Sequence, residues 1–325
     1  MDLNGLFEKL RNGDRSALGR AITLIESNRK DDRDRAKELL QRCLATATNP
    51  LRIGITGIPG VGKSTLIDAL GMQLIENGHR VAVLAIDPTS QRSGGSILGD
   101  KTRMEGLSNN SNAFIRPTAT SGNLGGVAIR TREAIVLCEA AGYDRIIVET
   151  VGVGQSELEV DRITDITILL MIAGAGDGLQ GIKRGIMETA DLIVFTKTDG
   201  DGMDRAKAAA LELKHALALL PPRDRGDRAK ILFTSAINRE GIDGLAGAIE
   251  TIGKENEASG YLKSNRDRQA LHWFDQAIIA GSIQRFSEDP SIKEARASLE
   301  EQIRSGRKTP IEAAEELLDR FLKRS

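Results

Sequence analysis

The chain is poor in several features that would have pointed to a function. Among its 325 residues are two cysteines, Cys43 and Cys138, far apart in sequence. That excludes a disulfide framework and makes a reducing compartment the expectation. Three histidines, His79, His215 and His272, are scattered, with no histidine tract and no C-x-x-C. A protein that assembles metal centres needs such soft or imidazole ligands in clusters. Aromatic residues make up 3% of the chain, too few for stacking platforms that hold single-stranded nucleic acid. Neither sign of charge is in excess: 45 basic residues face 46 acidic ones, for a net charge of −1. No basic field therefore points to nucleic acid or an anionic membrane. The longest apolar runs, such as 166–173, fall far below the ~20 residues of a membrane span. The opening MDLNGLFEKLRNGDR has no apolar core and already carries acids, unlike a secretory signal or an acid-poor transit peptide. A cytoplasmic location is the expectation.

Glycine, by contrast, is plentiful, with 34 residues. Much of it clusters at 54–62, 94–99, 122–126, 152–154, 174–185 and 200–202. Hydrophobic residues make up 40% and charged residues 28%, a composition that supports a sizeable core. Residues 1–48 read as helical, with Leu3, Leu6, Phe7 and Leu10 on one stripe and Leu18, Ala21, Ile22 and Ile25 on a second. The charge-dense tract 30–37 reads as a solvated helix face. From residue 49 to 253 the texture changes. The runs LRIGIT, RVAVLAI, NAFIRPT, DRIIVET, TILLMIA, DLIVFT and KILFT read as strands buried on both faces. Helical patterns at 63–77, 126–141, 203–220 and 241–252 alternate with them, which predicts an α/β domain with a mostly parallel sheet. Residues 254–325 turn helical again. Trp273, Phe274, Ala277 and Ile278 share a face, and Thr309-Pro310-Ile311-Glu312 combines an N-cap, a first-turn proline and a capping-box glutamate. Ala314, Leu317, Leu318 and Phe321 then mark an apolar stripe. These last helices read either as packed on their own domain or as a dimer-forming arm.

In open parallel sheets, ligands bind beyond the carboxyl ends of the strands, so chemistry is expected after each apolar run. Gly57-Ile58-Pro59-Gly60-Val61-Gly62-Lys63-Ser64 fits G-x-x-x-x-G-K-[ST], with a strand before it and a helix opening at Thr65. Glycines let backbone N–H groups wrap phosphates, and the helix terminus adds partial positive charge. Lys63 would reach the β and γ phosphates, and the Ser64 hydroxyl a Mg²⁺ ion. Three acids follow strands or lie near this loop: Asp87, Asp100 and Glu149. Mg²⁺ keeps waters and takes one or two carboxylates, so at least one of the three would act on metal-bound water. After DLIVFT comes Thr196-Lys197-Thr198-Asp199, an [NT]-K-x-D pattern. An aspartate there can accept from the ring N–H and the exocyclic amine of guanine together, and a lysine stem can cover the base. Ser235-Ala236-Ile237 after KILFT supplies a short loop for the guanine oxygen. GTP and GDP are thus preferred over ATP. No residue stands out as the group that positions the attacking water; Gln155 follows E-T-V-G, two positions later than in the Ras-like pattern.

The segments GIPGVGKST, AIDPTSQRSGGSILGDKTRM, ETVGVGQSE, GAGDGLQGIKRGI, TKTDGDG and TSA together resemble the MeaB/ArgK family of P-loop GTPases. The resemblance is close over residues 50–250. It implies a P-loop GTPase fold with a helical N-terminal extension and a C-terminal helical dimerisation arm. It also implies a homodimer that hydrolyses GTP and assists an adenosylcobalamin-dependent acyl-CoA mutase, typically methylmalonyl-CoA mutase. Such a chaperone gates cofactor loading and protects or reactivates the mutase. Older descriptions attach family members to transport of basic amino acids as an ATPase or kinase. By the same resemblance, residues 57–65 hold phosphates, Ser64, Asp87, Asp100 and Glu149 arrange Mg²⁺, and Asp199 with Ser235, Ala236 and Ile237 holds guanine. The stretch 174–184 corresponds to the element that communicates with the mutase. Two departures stand out: Thr196 replaces the usual asparagine, and Ala173-Gly174 replaces proline-glycine.

Overall fold

Each of the seven apolar runs forms a strand. The computed structural model describes residues 2–27, 29–46, 48–87, 104–119, 124–150, 160–174, 184–223 and 226–323. The strands are β1 (Leu51–Gly57), β2 (Val81–Asp87), β3 (Ala113–Ala119), β4 (Arg145–Thr150), β5 (Ile166–Ile172), β6 (Leu192–Thr196) and β7 (Lys230–Phe233). They pair in the order β3-β2-β4-β1-β5-β6-β7, with every neighbour parallel. All carboxyl ends therefore lie on one edge. The chain leaves β1 for β2, β3 and β4 on one side and returns with β5, β6 and β7 on the other. The end of β1 is thus the point where strand order reverses, which is where such sheets open a ligand crevice.

Helices fill the connections. They are α1 (Leu3–Arg11), α2 (Arg15–Glu26), α3 (Lys30–Leu44), α4 (Lys63–Glu76), α5 (Glu105–Ser108), α6 (Leu124–Ala140), α7 (Arg184–Thr189), α8 (Gly202–Leu219), α9 (Ile242–Ala258), α10 (Tyr261–Glu288), α11 (Pro290–Arg304) and α12 (Pro310–Leu322). Right-handed crossovers put α4 and α6 on opposite faces, because β1 to β2 and β3 to β4 run in opposite directions across the sheet. Strand residues alternate between the two faces. Ile53, Ile55, Val83, Ile147 and Ile168 pack with Leu66 and Leu70 of α4 and with Leu245 and Ile249 of α9. Leu169, Met171, Ile193 and Phe195 face the other way, onto Ala206, Ala210 and Leu213 of α8. Leu70 is fully buried, so truncating it to alanine would cost about 2–5 kcal/mol.

Two compact units are present, Met1–Gln269 and Ala270–Ser325. In the first, α1, α2 and α3 pack on α6, and α2 also touches β3. Leu18, Ala21, Ile22 and Ile25 are buried as their spacing predicts. Asp14 caps α2 by accepting from Ala17 N at 2.8 Å, and Arg116 of β3 donates to Glu26 at 2.7 Å. In the second unit the capping box of α12 is complete: Thr309 N donates to Glu312 Oε2 at 3.0 Å, and Glu312 N to Thr309 Oγ1 at 3.3 Å. The expected stripe of α12 divides: Leu317 and Phe321 are half-buried, in line with buried Ala313, while Ala314 and Leu318 are exposed. The expected shared face of α10 also divides: Trp273 is buried, whereas Phe274 and Ile278 are exposed. No described helix is long and apolar enough to cross a membrane.

Candidate nucleotide site

β1 ends at Gly57, and the loop to Gly62 carries the chain into α4. Gly62 is the residue before the helix and has φ +101°, a conformation an L side chain rarely adopts. A glycine there turns the chain so that the first amides of α4, which have no partner within a helix, open at the end of β1. Lys63 Nζ donates to Gly57 O at 2.8 Å and Ile58 O at 3.2 Å, so the ammonium lies across the loop that it would share with phosphates. Ile58 and Gly62 are half-buried, Val61 is buried, and Pro59, Gly60 and Thr65 are exposed.

Pairing of β4 beside β1 brings in the first distant group. Glu149 lies level with Ile55 of β1 and is buried. Its Oε1 accepts from Ser64 Oγ at 3.1 Å. A serine hydroxyl and a carboxylate from separate motifs thus meet at the mouth of the loop. They form a hard, all-oxygen donor pair of the kind Mg²⁺ takes. Asp87 ends β2, beyond β4 on the same edge, and its side chain falls outside the described groups. Asp100 and Gln155 lie outside the described residues, as does 175–183 of the stretch 174–184.

The second distant group comes from β6. The Thr196 hydroxyl donates to Val61 O at 2.6 Å, with Met171 O at 3.2 Å. Here the threonine hydroxyl ties β6 to the phosphate loop. Lys197 takes φ +56° and donates from Nζ to Gly60 O at 2.9 Å, a second tie to the same loop. Asp199 is exposed, and its Oδ1 accepts from Ser235 Oγ at 3.1 Å. Ser235-Ala236-Ile237 after β7 is therefore brought to the T-K-T-D turn. Ser235 and Glu240 exchange two backbone hydrogen bonds at 3.0 Å, which closes this loop on itself. Ala236 is half-buried, and Ile237 is exposed.

The sequence motifs alone did not single out two residues of this loop. Arg239, at φ +57°, donates to both carboxylate oxygens of Glu76 at 2.9 and 3.0 Å, pinning the loop to the end of α4. Gly241, at φ +72°, starts α9, and a Cβ there would lie 2.2 Å from Phe233 O. A glycine directly before a helical pattern was the available signal. Gly241→Ala is expected to destabilise the fold by at least about 1–3 kcal/mol, from the backbone conformation before the overlap is counted. A thermal melt of the variant, with no fall in midpoint, would contradict this.

The arrangement defines a P-loop GTPase: a phosphate loop at the reversal point of a parallel sheet, tied to an aspartate-bearing turn. Residues 18–291 match the family described as methylmalonyl Co-A mutase-associated GTPase MeaB. Probable GTPase Rv1496 of Mycobacterium tuberculosis (strain ATCC 25618 / H37Rv) is 48% identical over 98% of this chain and 94% of its own. The mitochondrial methylmalonic aciduria type A homolog of Mus musculus is 46% identical, over 98% of this chain and 79% of its own. The crystal structure of an LAO/AO transport system kinase is 34% identical with a TM-score of 0.74, covering 98% of this chain and 97% of the other. The chain belongs to the MeaB family.

Proposed function

We propose that this GTPase is a chaperone of an adenosylcobalamin-dependent acyl-CoA mutase, most directly methylmalonyl-CoA mutase, and that it gates cofactor loading and protects or reactivates that enzyme. The observation that carries the guanine half of this reading is Asp199, open to solvent and held by Ser235 at the turn that Thr196 and Lys197 bind to the phosphate loop. The mutase half rests on the family description and on the mouse relative's name. The solved relative is named a transport system kinase, which attaches that role to that protein. An aspartate poised for guanine favours GTP over the ATP such a kinase would use. Metal-centre assembly finds no support in the cysteines: both are buried, and burial pushes Cys43 up to about 11 and Cys138 up as well, so neither is poised as a thiolate.

In this mechanism the amides of residues 57–65 wrap the phosphates, and Lys63 swings from the Gly57 and Ile58 carbonyls to the β and γ oxygens. Lys197 covers one face of guanine, and Asp199 accepts from its ring N–H and exocyclic amine. Ala236 offers its backbone N–H to the guanine oxygen, with Ile237 beside it. Ser64 would hold Mg²⁺, with Glu149, Asp87 and Asp100 supplying direct or water-mediated contacts. The ion, when bound, neutralises charge developing on the phosphate oxygens. Glu149 holds the Ser64 hydroxyl and would orient water on such an ion. Phosphoryl transfer is mainly positioning plus charge stabilisation. The sequence singles out no water-positioning residue, and the proposal accordingly includes a turnover that is slow alone and rises on the partner.

Homodimerisation through the C-terminal helices completes the proposal, supported by exposed Phe274, Ile278, Ile279 and Ile283 along one helix. The cytoplasm fits two unpaired cysteines. The test is a pull-down with the full chain and a non-hydrolysable GTP analogue, paired with turnover measured with and without the recovered enzyme. Recovery of a cobalamin-dependent mutase that accelerates hydrolysis is expected. A free protein already at full rate, or capture of no mutase, would overturn the reading.

A further inference from the structure

We propose that Arg266 and Gln269 of α10 are positioning residues that couple the nucleotide state to the C-terminal helix, acting through the turn at 160–165. The proposal rests on the GTPase reading. It starts from a glycine. At Gly54, three residues before the phosphate loop, an added Cβ would lie 2.8 Å from both Val160 Cγ2 and Thr164 Oγ1. The turn is thus pressed onto β1 where no side chain intervenes. It is internally closed, since Thr164 Oγ1 donates to Val160 O at 2.8 Å and Ile163 N to the same oxygen at 3.1 Å.

α10 grips the turn. Gln269 is buried, and its side-chain amide donates to Asp161 O at 3.0 Å and to Thr164 O at 2.8 Å. Arg266 adds a two-pronged pair to Asp165, Nε to Oδ1 at 2.8 Å and Nη2 to Oδ2 at 2.6 Å. Asp165 in turn is locked to β1. Its Oδ2 accepts from Arg52 N at 2.9 Å, and its own N donates to Arg52 O at 2.8 Å. Arg266 Nη2 also donates to Pro50 O, the residue before β1, at 2.6 Å. Asp165 has no exposed side-chain surface, and a buried bidentate pair is geometrically stiff. The start of β1, the turn and the first turns of α10, through Gln269, therefore move together or break these bonds.

The consequence is directional. β1 feeds the phosphate loop, and the turn is the first described segment after Glu149 and Thr150 of β4. A shift of either on nucleotide exchange reaches the turn and, through two hydrogen bonds from the Gln269 amide and one ion pair, the start of α10. That helix, Tyr261–Glu288, carries Trp273, the only tryptophan, four residues after Gln269.

Trp273 is buried and makes an edge contact with the His272 ring at 5.1 Å, so its emission reads this part of the helix. The test compares full-chain Trp273 emission with GDP and with a non-hydrolysable GTP analogue, while affinity is measured separately with a fluorescent nucleotide. The wild-type chain is expected to show a difference between the two states. Gln269→Leu removes both donors at similar volume and is expected to shrink that difference at least about fivefold, with affinity kept within about threefold. Asp267→Ala, exposed on the same helix, is expected to leave the difference intact. If Gln269→Leu does not fold, Arg266→Lys carries the same test, because lysine cannot reproduce the fork. Equal wild-type emission with both nucleotides bound, or an undiminished difference in the variant, overturns the proposal. A wild-type chain that binds neither nucleotide overturns the GTPase reading, and this proposal with it.

Discussion

Lys63→Ala is expected to lower GTP turnover by a factor on the order of 10²–10³, the usual cost of removing one preorganised donor from developing charge. The physical reason lies in where the ammonium rests. It donates to two carbonyls of its own loop, Gly57 O and Ile58 O, in the segment proposed to wrap the phosphates. Exchange of those carbonyls for phosphate oxygens replaces neutral acceptors by charged ones, which roughly doubles the strength of each hydrogen bond. Alanine is a good helix former at the first position of α4, and the buried face of that helix, Leu66, Ile67 and Leu70, is untouched. The variant should therefore remain folded, which circular dichroism checks. Unchanged single-turnover hydrolysis would remove Lys63 from the site.

Asp199→Asn should exchange one base for another. Two hydrogen bonds from guanine to a carboxylate are each worth about 1.5–3 kcal/mol, so their loss predicts a fall in GTP affinity of about 10²–10⁴-fold. Xanthine nucleotides should gain, because the amide donates where the carboxylate could only accept. The neighbourhood favours a clean exchange. Ser235 donates to Asp199 Oδ1 and can donate equally to an amide oxygen, so the turn keeps its closure. Competition binding with GDP, XDP and ADP reads the result. Retained guanine preference would exclude Asp199 as the base reader, whereas loss of all nucleotides together would point to collapse of the loop.

The motifs that occupy adjacent residues were legible before any fold was known. Gly57 to Ser64 carries its meaning in its spacing, because wrapping a phosphate needs small residues and a helix terminus in immediate succession. The strand runs were equally plain, since burial on both faces forces continuous apolar sequence. Contacts across the sheet were not. Nothing near Ser64 announces Glu149, and nothing near Val61 announces the Thr196 hydroxyl. Those pairings exist because β4 and β5 flank β1 and β6 follows β5, an order fixed by crossovers and not by local preference. The helical arm shows the same boundary. Its capping box could be read residue by residue, because a cap is local. Which side of the helix is covered could not, and Ala313 lies in the seam that the apolar pattern assigned to Ala314.

The scarcity of cysteine, aromatics and excess charge excluded a disulfide framework, stacking platforms and a basic field, while alternating strand and helix patterns gave the α/β class and the glycine-rich segments marked loops that follow strands. The sequence alone determined the element types, the phosphate loop and the family, because each is written in short-range spacing. Only the tertiary structure decided that Lys63 rests on its own loop, that the Thr196 hydroxyl reaches Val61 O of the phosphate loop, and that Gln269 and Arg266 hold the turn packed on Gly54. Those contacts join residues far apart along the chain. They form only when packing brings the strands and α10 to one place.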